Sequence, residues 1–267
     1  KNENDSRVNE TEFTQPLLFA VQAALCELWQ SYGIRPDAVV GHSMGEITAA
    51  YVAGKLELPE ALRIIHRRGQ IMKTARGKGA MAAVELSYDE AAAVAAQYPG
   101  RLSVAANNSP DSCVLAGDPE IIKKAVAELS ARDVFCRELR VEVAGHSPDM
   151  EPLKQALREA VGVIPQRSAK LSIVSTVSGR FADNDAFDAD YWADNLREAV
   201  RFRSALESLM ERGYSCYLEI SPHPVLQNPI NQTAAAHGKD VYVFSTLRRN
   251  TDEKLSFLTS LAALYAH

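Results

Sequence analysis

The segment DAVVGHSMGEITAAYVAG, residues 37–54, contains a short apolar run, a serine between two glycines, and then a helical pattern. A strand that turns sharply into a helix can hold one side chain in an exposed, strained position if the residues packed around the turn are small. Gly41 and Gly45 are small, and Ser43 is the side chain at the turn. The segment predicts a strand-turn-helix elbow that displays Ser43, although an ordinary Gly-Ser turn also fits these five residues.

Length and composition are those of a globular protein with one large domain, or a large one with a small insertion. The chain has 267 residues, 46% of them apolar, which is normal for a buried core. Apolar runs such as 17–21 and 91–96 are shorter than the ~18 residues that a membrane span needs, and the first residues are polar where a signal peptide is apolar. We therefore expect a cytoplasmic protein that is not exported and does not contact a membrane.

Charge and cysteine spacing argue against two further classes of protein. The formal net charge is -5, whereas nucleic-acid binding needs a concentrated basic surface, so no nucleic-acid partner is expected. The cysteines are far apart and form no CxxC pair, which favours a reducing compartment over a zinc site or a disulfide framework; they are Cys26, Cys113, Cys136 and Cys216. No metal or bound redox cofactor is expected.

Strand-like and helix-like patterns alternate along the chain. The first helix is predicted to start at Thr14, with Pro16 in its first turn, and to end at Gly33. Between residues 79 and 142 the order becomes β-α-β-β-α-β, that of a ferredoxin-like unit. We expect an α/β fold with a large α/β-hydrolase-like subdomain containing a parallel sheet, residues 1–77 and 144–267, and an inserted ferredoxin-like subdomain, residues 78–143. A ligand site is expected in the cleft between them.

A serine hydroxyl at neutral pH needs a base within hydrogen-bonding reach and donors for the charge that develops on the attacked carbonyl. Backbone N–H groups at the start of the helix after Ser43, including that of Met44, could supply these donors. Of six histidines, five have contexts that fit the base less well: His42, His66, His223, His237 and His267. This leaves His146, in a loop after the last strand of the inserted unit, as the candidate base. The alternative is that His146 is a loop residue without a catalytic role.

Arg68 lies in the helical segment RIIHRRGQIM, residues 63–72. An arginine that faces the cleft offers a planar fork of donors to a carboxylate. A simple hydrolase has little use for such a fork, whereas a substrate with a free carboxylate beside its thioester would fit it. The alternative is an ordinary solvated helix arginine, like its neighbour Arg67.

Several blocks of sequence carry a family resemblance by their order and spacing. They are GHSMGEITAAYVAG, RRGQIM followed by GKGAMAAVEL, AANNSPDSCVLAG, EVAGHSPDMEPL, YWADNLREAVRF and LEISPHPVL. Together they resemble the acyltransferase domain of polyketide synthases, a relative of malonyl-CoA:acyl carrier protein transacylases. The resemblance runs from about Glu12 to the end of the chain.

The resemblance implies roles for individual residues. Ser43 would be the acylated nucleophile, His146 its general base and Arg68 the clamp for the malonyl carboxylate. His42 falls on the active-site histidine beside the nucleophile, and Asn108 on the asparagine of a turn that lines the cleft. The histidine of this family is oriented by a backbone carbonyl, so no acidic third member is required. Transfer would be ping-pong, from an acyl-CoA to Ser43 and then to the phosphopantetheine thiol of an acyl carrier protein.

The sequence departs from the family at its start, where the GQGSQ-type segment that contributes to the oxyanion hole is expected and does not occur. The chain is therefore expected to be a fragment of the domain, with its activity alone in doubt.

The segment STLRR and the closing helix resemble the passage into a linker, which implies neighbouring domains of a larger synthase. Basic residues near the cleft rim could receive an acidic carrier protein, or could be ordinary solvated arginines; they are Arg137, Arg140 and Arg180.

Substrate selection in the family is associated with four residues that end in the base. They resemble HAFH for malonyl and YASH for methylmalonyl, and here they are Val143, Ala144, Gly145 and His146. Gly145 is expected to leave empty the space that a phenylalanine would fill near the α-carbon, which favours an α-substituted malonyl group. Met44 occurs in both types and does not decide between them. One methyl group changes binding by only ~1 to 3 kcal/mol, so the preference is slight.

Two other functions remain open from the sequence. A serine hydrolase or thioesterase would use the same Ser43 and His146 but must admit water. A non-catalytic docking domain would keep the fold without the reaction, although the presence of Ser43, His146 and Arg68 together argues against it.

Overall fold

The structure, a computed structural model that describes residues 6–266, contains parallel and antiparallel ladders. The strands are β1 (Ala38–Val40), β2 (Ala80–Val84), β3 (Leu102–Ser109), β4 (Ser112–Gly117), β5 (Cys136–Leu139), β6 (Ser172–Ser175), β7 (Arg180–Phe181), β8 (Val200–Arg201), β9 (Cys216–Glu219) and β10 (Tyr242–Ser245). The α-helices are α1 (Thr11–Ser31), α2 (Gly45–Val52), α3 (Leu58–Met72), α4 (Tyr88–Ala96), α5 (Pro119–Ser130), α6 (Lys154–Val161), α7 (Ala189–Arg197), α8 (Phe202–Glu211), α9 (Gln227–Ala236) and α10 (Glu253–Tyr265). Two 3₁₀ helices cover Lys73–Ala75 and Pro148–Leu153.

The parallel strands of the large part of the fold form two separate ladders. Strand β1 pairs in parallel with β6, whose other neighbour is the short antiparallel strand β7. Strands β9 and β10 form the second parallel pair. The expectation of parallel strands covered by helices is confirmed, but as two short ladders instead of one continuous sheet.

The middle of the chain forms an antiparallel sheet with the order β5-β2-β4-β3-β8. The first four strands are antiparallel to their neighbours and have the order of a ferredoxin-like unit, whose helices α4 and α5 contribute to one apolar cluster with the strands. The predicted ferredoxin-like insertion is confirmed. Strand β8, which comes from the later part of the chain, adds to the edge in parallel with β3. The boundaries at residues 78 and 143 stay a prediction.

Helix α3 places Arg68 toward the protein interior. Its buried face contains Ala61, Ile64, Ile65, Arg68 and Met72, which recur at the spacing of one helical stripe. The helix starts with a reciprocal capping box between Glu57 and Glu60, which satisfies two otherwise unpaired backbone groups. The apolar members of the stripe belong to the main core cluster of the fold. Because Arg68 lies on the apolar face by which α3 packs against the core, its guanidinium is buried as well.

The start of α1 differs from the sequence-based prediction. The helix begins at Thr11, so Pro16 lies inside it and not in its first turn. The additional residues are held by contacts that are distant in sequence: the Thr11 N–H donates to Glu142 at 2.8 Å, and Lys73 and Arg76 form ion pairs with the Glu12 carboxylate. The prediction was wrong because tertiary ion pairs, and not the local proline signal, fix this end.

Within residues 6–266, every helix falls short of the length or the apolar character that crossing a lipid bilayer requires.

The elbow depends on one of its two glycines. Strand β1 ends at Val40, α2 begins at Gly45, and Ser43 between them has a φ of 54°. A Cβ atom on Gly41 would lie 2.3 Å from the backbone nitrogen of Glu46, whereas one on Gly45 would meet only the Gln22 Nε2 atom at 3.9 Å. The expected steric requirement therefore exists at Gly41 and not at Gly45.

This difference predicts opposite tolerance to alanine. Gly41→Ala should lower the free energy of unfolding by about 3 kcal/mol or more, because the clash is with backbone that cannot move aside without opening the turn. Gly45→Ala is the matched control and should change it by less than about 1 kcal/mol. Urea unfolding followed by circular dichroism measures both. Equal destabilisation of the two variants would contradict this account of the elbow.

Candidate active site

Ser43 and His146 lie in direct contact. The Ser43 Oγ and His146 Nε2 atoms are 2.7 Å apart, and His146 Nδ1 is 2.7 Å from the backbone carbonyl of Glu198. A carbonyl oxygen can only accept, so Nδ1 carries the proton and Nε2 is left as the acceptor for the serine hydroxyl. The backbone thus fixes the tautomer in which His146 can take a proton from Ser43.

The environment of His146 keeps its ring neutral. Burial, assisted by the nearby positive charge of Arg68, lowers the pKa of His146 to about 3. The hydrogen bond to the Glu198 carbonyl acts in the opposite direction but is a smaller effect. At neutral pH the imidazole is therefore in its basic form.

Two separate parts of the fold hold the backbone of His146, which has a φ of 60°. Its N–H donates to the carbonyl of Leu196 in α7 at 3.2 Å. Its carbonyl accepts from the Ser103 hydroxyl of β3 at 2.9 Å. The position of the ring is therefore set jointly by the antiparallel sheet and by α7.

Arg68 contacts the same serine through its guanidinium. It is only 3% exposed, its Nη2 donates to Ser43 Oγ at 3.3 Å, and its Nη1 donates to Gln15 Oε1 at 2.7 Å. The Nε atom is buried without a hydrogen-bond partner. Burial lowers the pKa of the Arg68 guanidinium to about 10, so the group is still charged at neutral pH. On the edge of the fork formed by Nε and Nη2, the Nε–H is therefore a donor without an acceptor.

Gln15 is a site residue that the sequence analysis missed. It lies on the buried face of α1 with Glu12 and Phe19. Its Oε1 accepts from Arg68, and its Nε2 donates to the sulfur of Met72 at 3.1 Å. The signal that could have found it is a polar residue on the apolar face of a helix, since a buried amide needs partners.

A buried carboxylate supports the elbow from behind. Glu46 accepts hydrogen bonds from the hydroxyl of Tyr191, from the Thr176 N–H at 3.0 Å and from Asn195 Nδ2 at 2.8 Å. The same Asn195 amide donates to the carbonyl of Ser43 at 3.3 Å. Burial raises the pKa of Glu46, and these hydrogen bonds oppose the rise. The network ties the strained residue to α7.

His42 and Asn108, both expected at the site, form a pair of their own. His42 Nε2 and Asn108 Oδ1 are 2.8 Å apart, and the His42 and Phe202 rings pack edge to face with 5.4 Å between centroids. Burial lowers the pKa of His42 below its ordinary value. Strand β3 thus connects to the elbow through Asn108.

The other expected binding residues have different surroundings. Val143 packs in the main core cluster, and Ala144 packs with Ala105 and Ala116. Met44 is half-buried against the main core. At Gly145, an added Cβ would have the Met72 methyl carbon as its one neighbour within 4 Å, at 3.5 Å, which is ordinary van der Waals contact. The expected space for an α-substituent and the roles of these residues in binding stay predictions.

The three arginines considered for a partner surface are all exposed. Arg180 forms an ion pair with Asp185 at 3.1 Å. In the part of the chain that the structure describes, no cluster of three or more His, Cys, Asp or Glu side chains could hold a metal ion.

Comparison with known proteins gives a consistent set of relatives. A profile of the acyl transferase domain matches residues 1–266. Polyketide synthase GfsB from Streptomyces halstedii is 40% identical over 261 residues, which are 97% of this chain and 5% of that protein. The chain therefore spans a small fraction of the length of this curated relative.

Two solved structures show the same fold. The acyltransferase domain from module 8 of the salinomycin polyketide synthase has a TM-score of 0.96 at 36% identity, covering 100% of this chain and 63% of that one. The acyltransferase domain of SpnD, in complex with 2-(pent-4-yn-1-yl)malonyl, has a TM-score of 0.82 at 31% identity, covering 94% and 61%.

The lowered pKa of His146 predicts how the reactivity of Ser43 depends on pH. An uncharged, serine-directed fluorophosphonate should label Ser43 at a rate that stays constant from about pH 8 to about pH 5, because the base form of His146 is lost only near its folded pKa. Labelling rates measured by mass spectrometry test this, with Ser43→Ala as the unlabelled control. A rate that halves near the ordinary histidine value of 6.5 would show that the ring is not shielded in this way.

Proposed function

Because this chain belongs to the acyl transferase domain family, we propose that Ser43 carries an acyl group taken from a CoA thioester. His146 Nε2, 2.7 Å away, removes the proton as Ser43 Oγ attacks the thioester carbonyl, and returns it to the sulfur as the carbon–sulfur bond breaks. The acyl-serine is then attacked by the phosphopantetheine thiol of an acyl carrier protein, with His146 again taking the proton. The ester bond between the acyl carbon and Ser43 Oγ then breaks, and His146 passes the thiol proton to that oxygen.

The observation that carries the choice of substrate is the unpaired Nε of Arg68. A buried guanidinium with an unpaired Nε is costly unless an acceptor completes it. A carboxylate can accept from Nε and Nη2 together, in the two-bonded geometry that is the strongest for arginine. With the carbonyl carbon on Ser43 and the carboxylate on Arg68, the substrate is a malonyl-type acyl group.

The developing oxyanion needs donors on the other side of the serine. The backbone N–H of Met44 follows the nucleophile directly, at the start of α2. The partial positive charge of that helix end would favour the oxyanion. His42, held by Asn108, would complete this side of the cleft without adding charge, because burial lowers its pKa.

An α-substituted malonyl group is the preferred substrate in this proposal. The solved relative SpnD is in complex with 2-(pent-4-yn-1-yl)malonyl, a malonyl group with a long α-substituent. In this chain Gly145 has no side chain beside His146, which supports room for a substituent. Malonyl itself remains a substrate of the same clamp.

A hydrolase or thioesterase would use the same serine and histidine, but nothing in that reaction calls for the unpaired edge of Arg68. A purely docking role is disfavoured because the Ser43–His146 contact and the tautomer it requires are in place. The acyltransferase reaction accounts for all three groups.

The relatives support a proposal about partners. These relatives are polyketide synthases, and the chain matches only a small part of their length. We propose that the chain works beside other domains of such a synthase and transfers acyl groups to one of its carrier proteins. The exposed Arg137 and Arg140 are candidates for contacts with that acidic partner. A cytoplasmic location stays a prediction.

Substituting Arg68 tests the carboxylate clamp. Arg68→Ala should slow malonyl transfer from malonyl-CoA to Ser43 by about 100-fold or more, because a buried charge pair is lost. Acetyl transfer from acetyl-CoA, which brings no carboxylate, should not fall in parallel. Arg67→Ala is the matched control, because Arg67 is the adjacent arginine on the exposed face of α3. Intact-protein mass spectrometry after brief incubation measures both adducts.

The same experiment separates the rival functions. Ser43→Ala should carry no adduct. An unchanged malonyl rate in Arg68→Ala would remove the clamp from the mechanism, and an acyl-serine that passes to water faster than to a carrier-protein thiol would favour the hydrolase.

A further inference from the structure

Three hydrogen bonds hold His146, and their partners differ in kind. Its backbone N–H and its ring Nδ1–H donate to the backbone carbonyls of Leu196 and Glu198, at 3.2 Å and 2.7 Å. Its own carbonyl accepts from the side-chain hydroxyl of Ser103, at 2.9 Å. Every residue type carries a backbone carbonyl, whereas the third bond needs a hydroxyl. Among these three bonds, the one to Ser103 is therefore the one that a substitution can remove.

The backbone conformation of His146 depends on such bonds. Its φ of 60° lies in the left-handed region, which residues other than glycine keep only where the surrounding structure fixes them there. Because the peptide group is planar, a bond to the carbonyl of His146 also fixes its ψ. With the N–H bonded to α7 and the carbonyl bonded to β3, the direction of the Cα–Cβ bond is set, and the position of the ring follows from it.

Ser103 lies on the face of β3 that receives the segment leading to the base. Its neighbours Leu102 and Val104 belong to the apolar cluster shared with α4 and α5, so the alternation of a strand directs Ser103 to the opposite face. The cross-strand partner of Ser103 is Ala116, which packs in one small cluster with Ala144. The segment before the base therefore lies against this face of the sheet, with the Ser103 hydroxyl beside it.

The Ser103 hydroxyl has two carbonyl oxygens within reach. The oxygen of His146 is 2.9 Å away and that of Ala116 is 3.4 Å away. A hydroxyl carries one proton, and hydrogen bonds from hydroxyls are normally no longer than about 3.0 Å. The proton is therefore donated to His146.

On the proposed function, on which this inference rests, His146 takes a proton when Ser43 is acylated and again when the carrier-protein thiol attacks. Both steps need Nε2 to point at the attacking group, so a fixed ring serves each of them. We propose that Ser103 is a positioning residue, whose hydroxyl holds the carbonyl of His146 and thereby keeps Nε2 within hydrogen-bonding reach of Ser43. It acts through the base and not through contact with the acyl group.

Removing the hydroxyl tests this role. Ser103→Ala should lower the rate constant for acyl-serine formation from malonyl-CoA by about 10-fold, because small displacements of a catalytic group are costly. The malonyl-CoA concentration that gives half the maximal rate should change by less than about 2-fold, since no contact with the substrate is lost. Ser103→Thr keeps the hydroxyl in a residue that strands favour and should restore most of the rate. Rapid quenching and intact-protein mass spectrometry measure all three proteins.

A matched control separates positioning from general stability. The Ser208 hydroxyl also donates to a backbone carbonyl that is distant in sequence, that of Gly179 at 3.0 Å, and both serines are half-buried. Ser208→Ala should therefore leave the rate constant unchanged. The end point of the reaction adds a second check, because a merely structural role lowers the fraction of molecules that become acylated, whereas lost positioning slows a reaction that still reaches completion.

An uncharged fluorophosphonate distinguishes this inference from the proposed function. Its reaction with Ser43 needs the same base but neither a carboxylate nor CoA, so Ser103→Ala should slow it by a similar factor. If the unaltered protein reacts with the fluorophosphonate and not with malonyl-CoA, the proposed function fails, while slower labelling of Ser103→Ala would still support the positioning role. Unchanged rate constants with both reagents would overturn the inference. So would an equal loss in Ser208→Ala, or a Ser103→Thr variant as slow as Ser103→Ala, because either would trace the effect to packing.

Discussion

A charged guanidinium buried within hydrogen-bonding distance of the serine is the constraint on which the rest of the site depends. Because Arg68 is desolvated, every group around it must be compatible with a positive charge. His146 is held in the neutral form partly by that charge, and Gln15 satisfies one donor with an uncharged amide, so neither neighbour neutralises the guanidinium. The stability of α3, through its capping box and its apolar stripe, sustains the burial.

The sequence was sufficient for those parts of the molecule that local pattern determines. Ser43 follows from glycine spacing between a strand and a helix, and His146 follows from its place after the last strand of the insertion. The ferredoxin-like unit was predictable because its strands and helices have regular patterns and follow one another in the β-α-β-β-α-β order. The resemblance to acyltransferases then supplied the proposed role of Arg68, which the local sequence alone does not separate from Arg67.

The rest depends on contacts between distant segments. Gln15 and Met72 are 57 residues apart in sequence, and nothing local indicates that an amide would join a thioether to a guanidinium. The start of helix α9 depends on the Glu219 carboxylate, which accepts from the N–H groups of Val225 and Leu226. The start of α1 was misplaced for a similar reason. In each case an ion pair or a buried polar contact overrode the local preference.

Helix α7 holds both members of the serine–histidine contact. Its Asn195 donates to the carbonyl of Ser43, and the carbonyl of its Leu196 accepts from the N–H of His146. The carbonyl of His146 is bonded to Ser103 in the antiparallel sheet, so the histidine also joins α7 to β3. Because one helix contacts both residues, a substitution that displaces α7 is expected to alter both sides of the 2.7 Å contact together.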